Sequence, residues 1–532
     1  KRINNMEPDV YRNTWSELRK VADPKEELSQ LSRKIGFSFV DRFYQKGSFE
    51  PRYIDLLCEM ATSFSDMELN NKAASALFEI IVEKLCDDYE DMPVEIYNRL
   101  MSQVITYCRN IPAGRELDKR LAEFRISSYE SLYHRANFIH SREYGWDVDK
   151  PPDKIILLSR VTVGADVAIL SVMIQRLAKL FPKTEIVIIG NKKLTGVFGG
   201  NPGIRIKQLN YARRGGLLER FASWHETLDI LAEEMPPDCE EDILLIDPDS
   251  RISQLGVLPL THRENYLFFN SRRFPSSAKN TCMAELTNHW MDTVFGTSDF
   301  SYPKVWIPSS IAEQARNITS RLIAAGCKKL ITVNFGVGEN PRKRLSPDFE
   351  KKLLQEILKS PQTIVLLDRG FGADELSRSG ALIAELRDRG IETACAHFGD
   401  SEIPGMSHGI LGVECTIGEI AALIAECDEF IGYDSACQHI AAAAQTPALT
   451  IFAGSNNMKF IRRWSACGNT QCKIVHVNTL TDPQHINTDE VILRIMEERA
   501  PAIQKPTERR RKIREIPSTK RLDKPAPKTA DS

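Results

Sequence analysis

The chain has 532 residues, of which 42% are hydrophobic and 27% charged, and a formal net charge of −2. This length and composition are enough for the cores of two or three domains. The near-zero net charge excludes the whole-molecule field of a nucleic-acid binder, so no nucleic-acid partner is expected.

Residues 1–150 are predicted to form a helical amino-terminal module. Apolar residues recur at spacings of three and four in segments such as NNKAASALFEIIVEKLC and VEIYNRLMSQVITYC, which is the pattern of amphipathic helices. Segments typical of strands are nearly absent. No fixed repeat period stands out, so we expect the module to pack against the part of the chain that follows.

A first Rossmann-like domain, the acceptor side, is predicted over residues 151–325. Strand and helix patterns alternate after the two prolines of DKPPDKIILLSRV. The strands KIILLSRV and TEIVIIG flank the helical DVAILSVMIQRLAKLFP, and the apolar runs ILLID and YLFFN follow. Short apolar strands separated by amphipathic helices are typical of a parallel sheet covered on both faces.

The same alternation begins again at KKLITVNFG and predicts a second Rossmann-like domain, the donor side, over residues 326–500. Its further strands are TIVLLD, IETACAHFG, EFIGYD and ALTIFAG, with helical segments between them. The predicted fold class is therefore α/β, with two doubly wound domains facing a cleft behind an all-α module. Open sheets of this kind bind ligands at the carboxyl ends of their strands.

Residues 501–532 are predicted to be a basic, disordered tail. From residue 505 onward they contain ten Lys or Arg against four Asp or Glu, with four prolines and few large apolar groups. A polybasic tail can contact an anionic membrane surface. A solvated tail without a partner is the alternative.

The segment YDSACQHIAAAAQTP, residues 433–447, places an acid, a hydroxyl and an imidazole at the start of an alanine-rich helix. Ser435 and Gln438 match a capping box. His439 follows within the first turns, where the helix dipole favours a neutral imidazole that can donate one hydrogen bond. With the free amides of the helix start, this pattern predicts a diphosphate site; a purely structural histidine is the alternative.

Three further strand ends carry candidate site residues. Lys343 and Arg344 follow one strand of the second domain, where they can compensate the charge of a leaving diphosphate or simply face solvent. Asp374 follows another and can bind ribose hydroxyls or cap a helix. In the first domain, Asp166 of SRVTVGAD can act as a general base or as a helix cap. The glycines of that segment do not fit GxGxxG, which disfavours a dehydrogenase.

Together these segments resemble the heptosyltransferase-type glycosyltransferases of family 9 over roughly residues 153–500. YDSACQHIAAAAQTPALTIFAG is similar to the family's Asp-Ser/Thr-Gly-x-x-His-x-Ala-Ala-Ala segment and the strand after it. KIILLSRVTVGADVAILSVMIQRLAKLFPKTEI resembles its opening strand, Gly-Asp turn and helix. The resemblance implies the GT-B arrangement of two Rossmann-like domains.

The resemblance also implies roles for individual residues. Asp166 takes the place of the catalytic base, and Asp374 that of the ribose-binding acid. The diphosphate and donor contacts fall on a larger set: Lys343, Arg344, Asp434, Ser435, Ala436, Gln438 and His439. Ala436 stands where the family has glycine.

The predicted function is therefore an inverting, metal-independent glycosyltransferase. Its donor is a nucleotide-diphospho-sugar, with ADP-heptose as the candidate, and its acceptor is a hydroxyl of a glycan such as lipopolysaccharide core, of a lipid-linked molecule or of a protein. Two alternatives stay open. One is an inactive, glycosyltransferase-like scaffold that binds partners through the helical module and the tail, and the other is a sugar-nucleotide epimerase.

No cofactor and no metal are predicted. The sequence DPD at 247–249 is interpreted as a strand end, and Cys467 and Cys472 as reduced thiols in a loop, since the twelve cysteines contain no CxxC pair. No stretch comes near the roughly 20 apolar residues of a membrane span, and the amino terminus has no apolar signal-peptide core. We expect a cytoplasmic protein, peripheral at the inner face of a membrane if the tail binds there.

Overall fold

The computed structural model contains three parts: a helical front and two α/β lobes, each built on one parallel sheet. This confirms the predicted fold class, whereas the domain limits at 150, 325 and 500 stay predictions. The described residues are 7–21, 24–87, 91–212, 215–236, 242–262, 265–272, 281–338, 340–400, 402–482 and 485–499.

The helical front consists of eight described α-helices. They are α1 (Pro8–Leu18), α2 (Lys25–Lys46), α3 (Pro51–Met60), α4 (Met67–Ser75), α5 (Glu83–Asp87), α6 (Asp91–Arg109), α7 (Arg115–Glu123) and α8 (Tyr129–Ser141). A π-helical segment, Ala76–Val82, joins α4 to α5.

The first lobe has a five-stranded parallel sheet in the order β3-β2-β1-β4-β5. Its strands are β1 (Lys154–Leu158), β2 (Glu185–Gly190), β3 (Ile204–Gln208), β4 (Ile243–Asp247) and β5 (Tyr266–Phe268). Its helices are α9 (Val163–Ala165), which continues as a π-turn over Asp166–Leu170, α10 (Ser171–Leu180), α11 (Leu194–Phe198), α12 (Ala222–Glu234), α13 (Met283–Phe295) and α14 (Ser309–Ala324). The strand order reverses between β1 and β4, so the ligand crevice of such a sheet is expected at their carboxyl ends.

The second lobe has a seven-stranded parallel sheet in the order β12-β11-β10-β6-β7-β9-β8. Its strands are β6 (Lys329–Asn334), β7 (Thr363–Asp368), β8 (Thr393–His397), β9 (Gly409–Glu414), β10 (Glu429–Tyr433), β11 (Ala448–Phe452) and β12 (Cys472–His476). Its helices are α15 (Pro347–Ile357), α16 (Ala373–Asp388), α17 (Ile417–Glu426), α18 (Ala436–Ala443), α19 (Met458–Arg463) and α20 (Thr488–Glu498). Here the order reverses between β6 and β10.

The helical front covers one face of the first sheet. Ile156 and Leu158 of β1 point into a core that they share with the front, whereas Ile155 and Leu157 point into a second core. This alternation is the two-residue period of a strand. The second core continues into the second lobe, where it includes Leu330, so the lobes meet across buried apolar side chains. The predicted packing of the helical module against the following sheet is thus observed.

Three strands, β3, β9 and β12, were not predicted from the sequence. Polar residues or glycines interrupt the apolar runs of all three, as in IRIKQ, GILGVE and CKIVH, and this weakens the strand signal. The interpretation of Cys472 as a loop residue was wrong, because it is the first residue of β12.

Within the described ranges, no helix has both the length and the apolar composition needed to cross a bilayer. The predicted basic tail, residues 501–532, lies outside the described residues.

Candidate active site

The carboxyl end of β10 leads directly into α18, the helix start that the sequence singled out. Ser435 is the N-cap residue, but its side chain makes no hydrogen bond to the first turn, so the predicted capping box was wrong. The Gln438 side chain instead donates to Asp434 Oδ1 (2.5 Å) and accepts from Thr450 Oγ1 (3.2 Å), while Ser435 Oγ donates to Asn334 Oδ1 (3.4 Å). The Ser435 hydroxyl therefore leaves the first-turn amides to another acceptor.

Lys343 lies against this helix start. Its ammonium donates to Asp434 Oδ2 at 2.5 Å, and it lies 5.8 Å from the centre of the Phe460 ring. The turn that carries Lys343 approaches closely because residue 454 is glycine. A Cβ on residue 454 would lie 3.0 Å from the backbone nitrogen of Lys343, and Gly454 has a φ of +78°. The structure thus brings together two residues that are far apart in sequence, Lys343 and Asp434.

Arg344, the next residue, points towards the end of β6. Its guanidinium donates to the Phe335 carbonyl at 2.9 and 3.2 Å and lies 3.6 Å from Glu375 Oε1. Arg344 and Glu375 line a small cavity of about 20 Å³ at the ends of β6 and β7, together with Asp368. Burial raises the pKa of Asp368 to about 6, and Arg369, Arg378 and Glu350 line the same cavity.

Asp374 lies in the first turn of α16 and is exposed. The helix is preceded by Gly372 as its N-cap residue, so the alternative of Asp374 as a helix cap was wrong. The neighbouring Glu375 accepts a hydrogen bond from the Phe371 amide (2.9 Å). Asp374 is therefore an acid open to solvent at the rim, close in sequence to the cavity but outside the Lys343 and Asp434 group.

His439 is buried on the inner side of α18. It is 5% exposed, and its ring meets that of Trp464 edge-on with centroids 6.1 Å apart. Burial lowers the pKa of His439 to about 4; the charge of Asp434 opposes this shift and that of Lys343 adds to it. The imidazole is therefore neutral near pH 7, as the sequence predicts, although burial rather than the helix dipole is the main cause.

In the first lobe, Asp166 lies in the opening turns of the helix after β1. It is 1% exposed, and its carboxylate accepts from Ser159 Oγ (2.8 Å) and from the Arg160 amide (2.7 Å). Because α9 begins at Val163 after Thr162 as N-cap, the alternative of Asp166 as a helix cap was wrong. Burial raises its pKa to about 7, while its hydrogen bonds and the charge of Arg160 oppose that shift.

The turn that covers Asp166 is strained. Val161 has a φ of +62°, which a β-branched residue adopts only at a steric cost. Its amide donates to Ser159 Oγ at 2.8 Å, the same hydroxyl that donates to Asp166. Strained turns of this kind are concentrated at functional sites.

The two helix starts, one from each lobe, are in direct contact. A Cβ on Gly164 would lie 3.1 Å from Ala436 Cα and 3.1 Å from His439 Cδ2. Nearby, the Arg160 guanidinium of the first lobe lies 5.9 Å from the centre of the Trp464 ring of the second. In both sheets, the strand ends at which the strand order reverses (β1 and β4 in the first, β6 and β10 in the second) therefore lie at the same contact between the lobes.

Comparison with known proteins agrees with this geometry. Residues 388–484 match the family model described as glycosyltransferase family 9 (heptosyltransferase). The second lobe carries a glycosyltransferase family 9 segment. The resemblance seen in the sequence is thereby confirmed, and so, at this coarse level, is the prediction of a glycosyltransferase. A search of curated proteins found no match.

Several solved structures are similar to the chain. A family 9 glycosyl transferase from Veillonella parvula is 14% identical, with coverage of 70% of this chain and 98% of that one and a TM-score of 0.44. The E. coli heptosyltransferase WaaC with ADP is 12% identical, with coverage of 65% and 100% and a TM-score of 0.44. E. coli ADP-heptose lps heptosyltransferase II is 12% identical, with coverage of 65% and 98% and a TM-score of 0.42.

The family 9 segment contains only part of the candidate site. It includes the α18 start with Asp434, Ser435, Ala436, Gln438 and His439. The remaining candidates, Asp166, Lys343, Arg344 and Asp374, lie outside it, and the roles of all the candidates, inside and outside the segment, stay predictions.

Two residues that contact the candidate site, Arg160 and Trp464, were not predicted from the sequence. Arg160 lies two residues after the end of β1, and its guanidinium donates to the Pro248 carbonyl (2.9 Å) and to Ser271 Oγ (2.8 Å). Its place at a strand end, six residues before Asp166, could have identified it. Trp464 lies in IRRWSACGN, after α19, and no local pattern connects it with His439.

The acids of DPD belong to buried networks of the first lobe. Asp247 accepts from the Ser250 amide (2.7 Å) and from the Tyr266 hydroxyl (2.9 Å). Asp249 accepts from Ser271 Oγ (2.8 Å) and lies 3.3 Å from Arg272 Nε. The partners of both carboxylates are hydrogen-bond donors of the protein itself, which agrees with their interpretation as a structural strand end.

Proposed function

We propose that the chain transfers a sugar from a nucleotide-diphospho-sugar to an acceptor hydroxyl, with inversion at the anomeric carbon and without a metal ion in the transfer site. The supporting observation is the contact of Gly164 with Ala436 and His439. This contact brings the helix that carries Asp166 against the start of α18, which lies within the segment matched by the family model and favours a bound anion. A base and a leaving-group site are what an inverting transfer needs on opposite sides of the sugar.

In this proposal the diphosphate of the donor binds at the first turn of α18, where amides and helix dipole favour negative charge. Lys343 exchanges its bond with Asp434 for phosphate oxygens, and Asp434 keeps its bond from Gln438. His439 is neutral near pH 7 and donates one ring N–H. These groups supply the positive potential that the departing diphosphate requires.

The rest of the nucleotide extends towards the end of β7. Arg344 adds a second positive charge beside the diphosphate, and the exposed carboxylate of Asp374 binds ribose hydroxyls. Hydrogen bonds from sugar hydroxyls to a charged carboxylate are stronger than neutral ones. The position of Asp374 at the rim, apart from Lys343, suits a ligand long enough to span a diphosphate and a ribose.

The chemical step starts with a proton transfer. Asp166 takes the proton of the acceptor hydroxyl while that oxygen forms a bond to the anomeric carbon, and the bond from this carbon to the diphosphate oxygen breaks. The electron pair leaves with the nucleoside diphosphate. Because burial raises the pKa of Asp166 to about 7, its carboxylate is matched to general-base work near neutral pH.

An acceptor reaches Asp166 only if the covering turn opens. Both carboxylate oxygens are bonded, to Ser159 and to the Arg160 amide, and the side chain is 1% exposed. The strain at Val161 lowers the cost of a rearrangement of this turn. We therefore infer that acceptor binding displaces the turn at 160–162 and exposes the carboxylate.

The family description makes heptose the first sugar to test, and ADP is the carrier that the sequence resemblance implies. A lipopolysaccharide-type glycan, a lipid-linked molecule or a protein hydroxyl remains the proposed acceptor. The location remains cytoplasmic in this proposal, and contact with the inner face of a membrane would fall on residues 501–532.

Nucleotide release tests the proposal. The full chain is incubated with ADP-heptose, or with UDP-sugars as comparison donors, in the presence of acceptor extracts, and free nucleoside diphosphate is measured. We expect release of ADP that depends on acceptor, and a rise in melting temperature with ADP, since a ligand at 100 times its Kd stabilises the native state by about 2.7 kcal/mol. The proposal is contradicted if no donor gives acceptor-dependent release of its nucleoside diphosphate.

A scaffold function is the second candidate, and the buried state of Asp166 favours it. A scaffold that keeps the nucleotide site would be stabilised by ADP in the same assay and would release no nucleotide from any ADP- or UDP-sugar. The two candidates therefore give opposite results in one experiment.

A further inference from the structure

Three side chains with metal-binding atoms meet on the surface where the two lobes join. Cys282 and Glu285 belong to the start of α13 in the first lobe, and Cys467 follows α19 in the second. The two sulfur atoms and a carboxylate oxygen all lie within 4.8 Å of one another. They are separate from the residues of the candidate transfer site, and the proposed transfer mechanism uses none of the three.

Local hydrogen bonds hold these side chains in place. Glu285 Oε2 accepts from the Cys282 amide (2.9 Å), as part of a capping box at the start of α13. Across the interface, Arg463 donates to the Thr281 carbonyl (2.6 Å). The start of α13 is thereby fixed against the end of α19, and the three side chains need little rearrangement to face a common ion.

Apolar side chains enclose the cluster on one side, and its other side is exposed to solvent. Cys282 is 5% exposed and packs with Val172 and Ala284, and Cys467 is half-buried against them. Glu285 is exposed. Sulfur in an apolar setting with one open edge gives an ion a path in from solvent and shields its bonds once they form.

We propose that Cys282, Glu285 and Cys467 form a site for a divalent metal ion of the kind that thiolates select, Zn²⁺ above all, and that this ion ties the two lobes together. Two thiolates and a carboxylate supply three of the four ligands of a tetrahedral zinc site. Binding releases the two thiol protons to solvent, so affinity rises with pH.

The cluster itself supplies three ligands, so a water molecule takes the fourth position. Cys282 and Cys467 are both free thiols in the structure, so both can bind the ion as thiolates.

The site would act on the transfer site through its neighbour Trp464. Cys467 follows Trp464 by three residues, and the Trp464 ring contacts His439 from its own lobe and Arg160 from the other. A metal ion bound to both lobes would keep this ring between them. The inference does not depend on the proposed sugar transfer.

Metal analysis of the purified full chain tests the inference. We expect about one equivalent of zinc or a similar thiophilic metal in the isolated protein, and about one equivalent of Zn²⁺ bound by the metal-stripped, reduced protein in competition with a chromophoric chelator. Cys282→Ser and Cys467→Ser should lose this binding, and Glu285→Gln should weaken it by roughly 10–100-fold. Cys395→Ser, which changes an exposed thiol of β8 outside the cluster, should bind like the wild type.

A spectroscopic measurement keeps the test valid if the cysteine variants do not fold. Co²⁺ added to the wild-type protein should give a thiolate-to-cobalt charge-transfer band that Zn²⁺ removes. The inference is overturned if wild type and Cys282→Ser bind the same amount of metal, or if the Co²⁺ band is absent. A protein mass two units lower, with both thiols resistant to alkylation, would identify a disulfide instead and would also overturn it.

Discussion

The strand ends of the two lobes differ in how they meet solvent. In the first lobe, the buried Asp249 and Arg272 and the half-buried Arg160 form a polar network after β4, β5 and β1. In the second lobe, Phe371 is 82% exposed and Asp374 is exposed at the end of β7. The strand ends of the first lobe are thus closed to solvent, whereas those of the second lobe are open to solvent where a nucleotide is proposed to bind.

The helical front explains the closed side. Arg272 lies 4.9 Å from the centre of the Tyr97 ring of α6, and His140 of α8 hydrogen-bonds to the Leu255 carbonyl at 2.7 Å. Both contacts brace the loops that follow β4 and β5. The helical front therefore does more than cover a sheet face, because it also fixes the loops of the proposed acceptor side.

Breaking the buried network should have the largest effect on stability. Burial raises the pKa of Asp249, but the charges of Arg272 and Arg160 outweigh burial and keep it below its ordinary value. Asp249→Ala would leave both arginines without this partner, and we expect a loss of about 3–5 kcal/mol, measured as a lower urea midpoint. Asp374→Ala, at an exposed carboxylate, should change stability by no more than about 0.5 kcal/mol. Equal midpoints for the two variants would contradict the difference between the lobes.

On the open side, Lys343→Met should weaken ADP binding by about 10–100-fold, because a charged hydrogen bond to phosphate contributes about 1.5–3 kcal/mol. Isothermal titration calorimetry measures the change. Lys351→Met is the matched control, since Lys351 pairs with Asp348 and Glu385 on α15 and α16. The role of Lys343 is excluded if both variants bind ADP alike.

The smallest expected effect separates the role of Asp374 from that of Lys343 in the second lobe. Asp374→Ala should weaken ADP binding by about 5-fold, for the loss of a hydrogen bond worth about 1 kcal/mol, and should leave inorganic pyrophosphate binding unchanged. Lys343→Met should weaken both ligands. If Asp374→Ala weakens pyrophosphate as well, Asp374 does not act through the ribose.

The features of the two lobes that depend on local sequence pattern could be predicted from the sequence. The apolar runs of β1, β6, β7 and β10 and the polar residues after them predicted the candidate site, because parallel strands bring their carboxyl ends together. The capping box at Ser435 failed because Gln438 is bound by Asp434 and by Thr450, a residue of the next strand.

Contacts between segments that are distant along the chain could not be predicted from the sequence. The burial of Asp166, the position of Trp464 beside His439, and the meeting of Cys282 with Cys467 all depend on how the lobes pack. No spacing rule connects such residues.

Asp166 also predicts a pH dependence with a definite sign. Burial raises its pKa from 3.8 to about 7, so the folded protein holds a proton that the unfolded chain releases. Its contribution to stability is present below about pH 4 and is lost as the pH rises through 7. The same titration creates the base, so kcat/KM should rise with pH up to about 7 and then level off.

The most direct test of the account is Asp166→Asn, which keeps the shape of the side chain and removes the base. We expect kcat to fall by about 10²–10⁴-fold and the pH step near 7 to disappear, while the Kd for ADP stays within about twofold. Asp247→Asn, a buried carboxylate of the same lobe, is the control and should keep its turnover. Wild-type turnover and an unchanged pH profile in Asp166→Asn would contradict the central claim that this carboxylate is the base of a sugar transfer between the lobes.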